Sequence, residues 1–386
     1  MKKGTLFLLI VGAIVIFGAG VLFGIYCDKK ALQELSDAVS PQQSEAAAAE
    51  QMNIGDKNSI LSDDEKEKSD EANSNTDNKA SLDTFGFYGS LKVKGTRLLD
   101  SNNNPVRLMG VSSHGLSWFP EFVTADAMKS LHDDWGINVF RVAMYTAEYN
   151  GYCEGDENNR VTLKGKIDEA VNAAKENDMY IIIDWHILSD NDPNMHKEEA
   201  KEFFAEMSAK YADVDNVIYE ICNEPNGSTS WDDIYSYANE VIPVIRKNAS
   251  KALVLVGTPC WCQEISAPLT KPLKYDNIMY TFHFYGSTHK QDFRDRLKNA
   301  LDSGVPVFVS EFGFSEASGS GNVDYGEASQ WLSFLDENNL SGCIFNLSNK
   351  DESSAMIAPG CDKKSGWTRE DLSTQGQIIY DYFHSK

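Results

Sequence analysis

Eight short apolar runs with the composition of β-strands alternate with segments of helical period, and this alternation limits the folds open to the chain. The runs are Val106–Val111, Asn138–Tyr145, Met179–His186, Val217–Glu224, Ala252–Gly257, Ile278–Tyr285, Pro306–Glu311 and Ser341–Leu347. Some are almost unbroken in hydrophobicity, as in Tyr180-Ile-Ile-Ile and Leu253-Val-Leu-Val, which is the pattern of strands covered on both faces. Amphipathic patterns separate most of them, at Ala125–Trp135, Lys164–Asn177, Lys197–Tyr211, Asp232–Asn248, Gln291–Ser303 and Tyr325–Asn339. The fifth connection, Ser266–Tyr275, is short and broken by proline, so it carries the weakest helical signal. Alternation of this kind implies parallel pairing through right-handed crossovers, and eight units predict an α/β fold of the (β/α)8 barrel type. A doubly wound open sheet is the competing fold, but no glycine-rich phosphate loop follows any run. Ahead of the barrel, Leu91-Lys-Val-Lys and Thr96-Arg-Leu-Leu predict a β-hairpin within Ser90–Arg107.

A barrel of this type carries its active site at the C-terminal ends of the strands. The ends supply His114, Arg141, Tyr145, Asp184, His186, Asn223, Glu224, Trp261, His283, Tyr285, Glu311, Phe345 and Asn346. Two of them weigh most. Val217-Ile-Tyr-Glu-Ile-Cys-Asn-Glu-Pro225 and Val305-Pro-Val-Phe-Val-Ser-Glu-Phe-Gly313 each end an apolar run on a glutamate followed by a chain breaker. Glu224 and Glu311 therefore converge on one mouth if their strands share a barrel, and a facing pair of carboxylic acids is the apparatus of glycoside hydrolysis. Asn223 is expected to hold a sugar hydroxyl, and Gly313 to let the substrate approach Glu311. Glu220 shares parity with Glu224 but lies deeper, as a buried partner for Arg141 or a histidine. Arg141, within a buried strand, needs anionic partners, and a bond to Glu311 suits a nucleophile.

The aromatics Trp118, Tyr145, Trp261, Tyr285 and Phe345 at one mouth predict stacking on the apolar face of a pyranose. Trp135, Trp185, Trp231, Trp331 and Trp367 are read as packing residues. His114, His186 and His283 would be the ligands of a barrel metal site, but no His-x-His pair or other metal spacing supports one. No metal and no cofactor are expected. His132, His196, His289 and His384 are given no specific role.

The ends of the chain differ in character. Lys2 and Lys3 precede an uncharged run from Thr5 to Tyr26, long enough to span a bilayer. No small-x-small cleavage pattern closes it, so residues 1–27 are read as a retained membrane anchor, with a cleaved signal as the alternative. Residues 28–83 hold 14 acids, 6 lysines and no aromatic, and cannot bury enough apolar surface to fold; they predict an acidic disordered tether. Residues 84–386 form the catalytic domain. The whole chain carries a net charge of −23, and this acidity argues against nucleic acid as a partner. An outer cell surface would permit disulfides, but the seven cysteines do not assign themselves to pairs.

Asn223-Glu-Pro, Asp184-Trp-His, Phe282-His-Phe-Tyr and Ser310-Glu-Phe-Gly resemble the motifs of glycoside hydrolase family 5. Longer strings, Ser112-Ser-His-Gly-Leu, Asp134-Trp-Gly-Ile-Asn-Val-Phe-Arg and Lys350-Asp-Glu-Ser-Ser-Ala, resemble its bacterial endoglucanase branch. The resemblance covers nearly all of Ser90–Tyr382. It implies a retaining endo-β-1,4-glucanase acting on cellulose or a related β-glucan, with Glu224 as acid/base and Glu311 as nucleophile. It implies sugar contacts at His114, Trp118, Phe119, Tyr145, His186, Asn223, His283 and Tyr285, and further contacts at Ala317, Ser318, Lys350 and Glu352, with Asp351 between them. Together with the N-terminal run, the expectation is a monomer at the outer face of a bacterial membrane, or a secreted protein if the N-terminal segment is cleaved. The family branch usually has tryptophan where this chain has Phe345 and Phe312, which touches rate and substrate breadth. A hydrolase of mixed-linkage glucan, xyloglucan or mannan is the second reading, and a non-catalytic glycan-binding barrel the third.

Overall fold

The computed structural model describes residues 88–386. The expected anchor, residues 1–27, and the whole of the expected tether, residues 28–83, lie outside the described residues. Among the described residues, no helix is long and apolar enough to cross a membrane.

A two-stranded antiparallel hairpin comes first, β1 (Lys92–Lys94) and β2 (Arg97–Leu99). Eight parallel strands then close into a barrel: β3 (Met109–Ser113), β4 (Val139–Tyr145), β5 (Tyr180–His186), β6 (Val217–Glu220), β7 (Val254–Val256), β8 (Ile278–Tyr285), β9 (Val307–Gly313) and β10 (Gly342–Leu347). β10 returns to pair with β3. The outer helices are α1 (Ala125–Trp135), α2 (Glu157–Glu176), α3 (Lys197–Lys210), α4 (Trp231–Asn248), α5 (Gln291–Asp302), α6 (Tyr325–Glu337) and α7 (Thr374–His384). The expected (β/α)8 barrel and its hairpin are present.

Several boundaries differ from the sequence reading. The first barrel strand starts at Met109 rather than Val106, because the Val106 N–H is taken by the Leu98 carbonyl of the hairpin at 2.9 Å. β6 stops at Glu220, so Glu224 stands on the loop beyond it and not on the strand. α2 begins at Glu157 rather than Lys164, since the Asp156 side chain accepts the Asn159 N–H at 2.9 Å and caps it. No long helix forms in the fifth connection, where only single turns form, Pro259–Cys262 and Ala267–Leu269. α7, capped by Ser373, was not read from the sequence.

Side-chain alternation along each strand builds two cores. Inside the barrel, Val139, Tyr180, Ile182, Ile218, Leu253, Leu255, Met279 and Phe308 fill the lower layers, and Leu91 and Leu98 of the hairpin close them. Outside, residues such as Phe140, Ile181, Tyr219, Phe282 and Val309 pack against the helices. Burying each such side chain contributes roughly 1.5–3 kcal/mol. Trp331 of α6 lies flat on Phe284 with ring centroids 3.7 Å apart. The tryptophans 135, 185, 231, 331 and 367 are all buried, as expected.

β9 breaks the alternation. Thr281 pairs with Phe308, but His283 pairs with Glu311, so β9 carries one extra residue between these rungs. The register against β10 slips over the same stretch, with Gly342 opposite Val309 and Ile344 opposite Phe312. Phe308 joins the inner core, and Val309 and Phe312 the outer one. The bulge thus turns both Ser310 and Glu311 toward the barrel axis.

Candidate active site

The apolar layers give way to a buried polar floor at the level of Arg141. This guanidinium is fully buried. Its Nε and Nη2 donate to Glu220 at 2.7 and 3.2 Å, and Nη1 donates to Glu311 Oε2 at 3.0 Å. Nη2 also reaches Asp184 Oδ2 at 3.0 Å and Asn223 Oδ1 at 2.6 Å. Charged groups survive at this depth only through such pairing. The expectation that Glu220 is a deep partner of Arg141 and that Arg141 reaches Glu311 is met. Burial pushes the Asp184 carboxyl up to about 8, against the opposing pull of Arg141.

Glu311 is held from a second side by the Tyr285 hydroxyl, which donates to Oε1 at 2.7 Å. Glu224 faces it from the loop after β6. Its Oε1 lies 2.8 Å from His283 Nδ1, and burial is the main cause that pushes its carboxyl up to about 7. Burial also drives His283 down to about 4, so its imidazole is neutral near pH 7. Ligand atoms of Glu224, His283 and Glu311 all lie within 4.8 Å of one another. Such a trio could in principle hold a cation, yet Glu224 and His283 are already hydrogen-bonded to each other and Glu311 is bound by Arg141 and Tyr285. The same proximity suits two carboxyl groups working on one bond.

A strained turn props the Glu224 loop. Cys260, Trp261 and Cys262 all take positive φ, at 59°, 54° and 59°. For L-residues this conformation costs roughly 1–2 kcal/mol each. The Trp261 N–H donates to the Pro225 carbonyl at 3.0 Å, and the Cys262 thiol to the Asn223 carbonyl at 2.9 Å. These two carbonyls flank Glu224, so the turn fixes the loop and leaves the Trp261 ring half-exposed beside it.

The expected aromatic wall forms on the other side of the mouth. The Trp118 ring lies 4.6 Å from Tyr145, and Tyr145 lies 4.1 Å from His186. His114 contacts Phe119 at 4.8 Å and Phe345 at 5.7 Å. Lys350 Nζ bonds Glu352 at 2.6 Å, and Glu352 stands 3.6 Å from His114 Nε2. Ala317 and Ser318 are exposed on the loop after β9; the neighbouring Gly319 carbonyl accepts from the Ser354 N–H, and Ser354 bonds Glu352. Asp351 is exposed.

Four expectations need correction. Asn223 is fully buried with its amide already engaged: its Nδ2 donates to His186 Nε2 at 3.2 Å and to the Ile187 carbonyl at 3.1 Å. It holds the floor together rather than offering a spare donor. Gly313 makes room for Tyr285 and not for substrate, since a Cβ there would meet that ring at 2.8 Å. Phe312 points away from the mouth and stacks on Phe284 at 5.3 Å, so its difference from tryptophan lies in the outer core. His289 does have a specific role, because its buried ring accepts the Tyr285 N–H at 2.9 Å.

Other supporting residues escaped the sequence reading. Ser310 bridges Glu220 and His283 at 2.7 and 3.0 Å. Gln375 of α7 donates to the Phe345 carbonyl at 2.8 Å and accepts the Phe314 N–H at 2.6 Å, bracing the strand behind Phe345. Ser310 was visible inside the Ser-Glu-Phe-Gly string, but Gln375 sits on an unrecognised helix with no local signal.

A parallel barrel with paired carboxyls, an arginine-bound glutamate and an aromatic wall at its mouth defines the class of glycoside hydrolases. Residues 99–351 match the family model described as cellulase, glycosyl hydrolase family 5. Endoglucanase A of Butyrivibrio fibrisolvens is 54% identical over 296 residues, covering 76% of this chain and 68% of that protein. An endoglucanase of Clostridium saccharobutylicum is 47% identical over 302 residues, covering 78% and 66%. The chain thus spans about two thirds of the length of these relatives. Among solved structures, the catalytic domain of Thermobifida fusca endoglucanase Cel5A in complex with cellotetraose superposes with a TM-score of 0.74 at 34% identity, covering 78% of this chain and 99% of that one. The chain belongs to glycosyl hydrolase family 5.

Proposed function

We infer that this chain, an endoglucanase of glycosyl hydrolase family 5, cleaves internal β-1,4 bonds of cellulose or related β-glucans with net retention. One observation carries the stereochemical reading. Carboxylate oxygens of Glu224 and Glu311 lie within 4.8 Å of each other. Retaining enzymes hold their carboxyls roughly 5–5.5 Å apart, whereas inverting enzymes leave roughly 6.5–9.5 Å for a water.

The surroundings divide the labour. Glu224, in a buried setting that keeps its proton up to about pH 7, protonates the glycosidic oxygen. The C1–O bond breaks, and Glu311, oriented by Arg141 and Tyr285, forms a bond to C1. Glu224, now ionised, takes a proton from water as the water oxygen attacks C1 and releases Glu311. The wall of Trp118, Tyr145, His114 and Phe345 offers ring faces to the sugars. Lys350 and Glu352 add polar contacts along the same side, with Trp261 across the mouth, while His186, whose ring nitrogens are held by Asp184 and Asn223, adds its ring to the wall beside Tyr145. The names of the relatives support the β-glucan substrate.

Glu311→Gln is expected to abolish release of reducing sugar from carboxymethyl cellulose while oligosaccharide binding persists; an active variant would remove Glu311 from the nucleophile role. A polysaccharide panel with mixed-linkage glucan, xyloglucan and mannan tests the preference for β-1,4-glucan. The uncharged run Thr5–Tyr26 supports anchoring at the outer face of a bacterial membrane, with secretion the alternative if the segment is cleaved, and we propose that the enzyme works there as a monomer. Mass spectrometry of the mature N-terminus and sedimentation of the full chain test that arrangement.

A further inference from the structure

Ser310 joins two groups that the hydrolysis scheme leaves unconnected. Its Oγ donates to Glu220 Oε1 at 2.7 Å and stands 3.0 Å from His283 Nε2. On the other edge of the same ring, His283 Nδ1 stands 2.8 Å from Glu224 Oε1. Ser310, Glu220 and His283 are all buried, so no bulk water substitutes for these partners.

The protons available on these side chains fix the direction of the line. A serine hydroxyl has one proton to give, and an ionised carboxylate only accepts. Both Glu220 oxygens already receive Arg141 N–H groups, so Glu220 is the acceptor of the hydrogen bond that the Ser310 hydroxyl donates. Ser310 Oγ therefore accepts from His283, which places the ring proton on Nε2. Burial keeps the ring neutral, and a neutral ring protonated at Nε2 presents a lone pair at Nδ1. The hydrogen bond between His283 and Glu224 is then donated by the carboxyl of Glu224.

We infer that Ser310 is a positioning residue that locks His283 in its Nε2–H tautomer and so keeps the transferable proton on Glu224 in the resting enzyme. This rests on the acid/base reading of Glu224. The bulge in β9 makes it possible, because it turns Ser310 and Glu311 to the same side. With Ser310 removed, the ring is free to carry its proton on Nδ1 and donate to an ionised Glu224. That reversal favours the charged carboxylate. Arg141 of β4, Asp184 of β5, Glu220 of β6, Tyr285 and His283 of β8 and Glu311 of β9 also act on Glu224 or line its pocket, as does Tyr145 of β4. Ser310→Ala changes the charge of none of them, so a moved pH profile reports the tautomer.

The test combines spectroscopy with kinetics on the full chain. In protein labelled with 15N-histidine, the His283 ring is expected to show a protonated Nε2 and an unprotonated Nδ1 between about pH 5 and 7, above the range in which the ring itself takes up a second proton. A protonated Nδ1 in the wild type would overturn the inference directly, whatever the variants do. Ser310→Ala is expected to lower kcat/KM on cello-oligosaccharides about tenfold and to move the alkaline limb down by about one pH unit. A dinitrophenyl cellobioside, whose leaving group needs no proton, should keep its rate within about twofold. Ser310→Thr should restore the wild-type profile. Equal slowing of both substrates with an unmoved limb would reduce Ser310 to a structural role and overturn the inference. Wild-type inactivity on every β-1,4-glucan would instead overturn the hydrolase reading beneath it.

Discussion

His283 Nδ1 lies 2.8 Å from Glu224 Oε1, with the imidazole driven down to about 4 and the carboxyl pushed up to about 7, both chiefly by burial. Between about pH 4 and 7 the one proton of this pair therefore belongs to Glu224. Because the carboxyl is raised, its acid form is present below about pH 7 and is lost above it. Activity on glucan should fall about tenfold per unit above that point. Initial rates on carboxymethyl cellulose between pH 4 and 10 check this, and undiminished activity at pH 9 would contradict it.

The same shift affects stability. An unfolded glutamate ionises near 4.3, well below the folded value, so Glu224 favours the folded state fully below about pH 4 and loses that contribution as pH rises toward about 7. Glu224→Gln, which stays neutral, should match the wild type at low pH. At pH 8 it should be more stable by about 1–3 kcal/mol. Chemical unfolding at both pH values measures the difference. A glutamine variant no more stable at pH 8 would show that the carboxyl is not held in its acid form.

Arg141 ties three carboxyl groups, those of Asp184, Glu220 and Glu311, at 3.0, 2.7 and 3.0 Å. Arg141→Met leaves them buried without a cation and should cost about 3–5 kcal/mol. Urea unfolding gives the number. A loss below about 1 kcal/mol would mean that water reaches this layer.

Much of this fold was open to reading because strand and helix periods differ so plainly. Tyr180-Ile-Ile-Ile and Leu253-Val-Leu-Val have no partner-free face, and eight such runs leave few alternatives to a barrel. The two glutamates stood out for the same reason, as acids ending apolar runs. What stayed hidden depends on contacts distant in sequence. The bulge in β9 is invisible in Val-Phe-Val-Ser-Glu-Phe-Gly, so strict alternation would have put Ser310 and Glu311 on opposite faces. Asn223 looked like a free amide because His186 and Ile187, its acceptors, come from the neighbouring strand and the loop beyond it. Gly313 looked like an opening toward substrate because the ring it accommodates, Tyr285, lies 28 positions earlier.

The two phenylalanines that stand where the family branch usually has tryptophan should behave differently. Phe312 is fully buried in the outer core against Phe284 and Phe314. Phe312→Trp should overpack that layer, costing about 1–3 kcal/mol, and leave substrate preference unchanged. Phe345 lies between His114 and His186 at the mouth. Phe345→Trp should alter KM across a polysaccharide panel with a smaller effect on stability. Thermal melts and steady-state kinetics of both variants separate the two cases, and an exchange of the two outcomes would misplace the rings.

Glu224 and Glu311 are close enough for direct attack on the sugar and too close to leave an inverting water between them. Proton NMR of a fresh cello-oligosaccharide digest, recorded before mutarotation, tests this most directly. The β-anomer should appear first at the new reducing end. First appearance of the α-anomer would mean inversion, and the double displacement through Glu311 would be wrong.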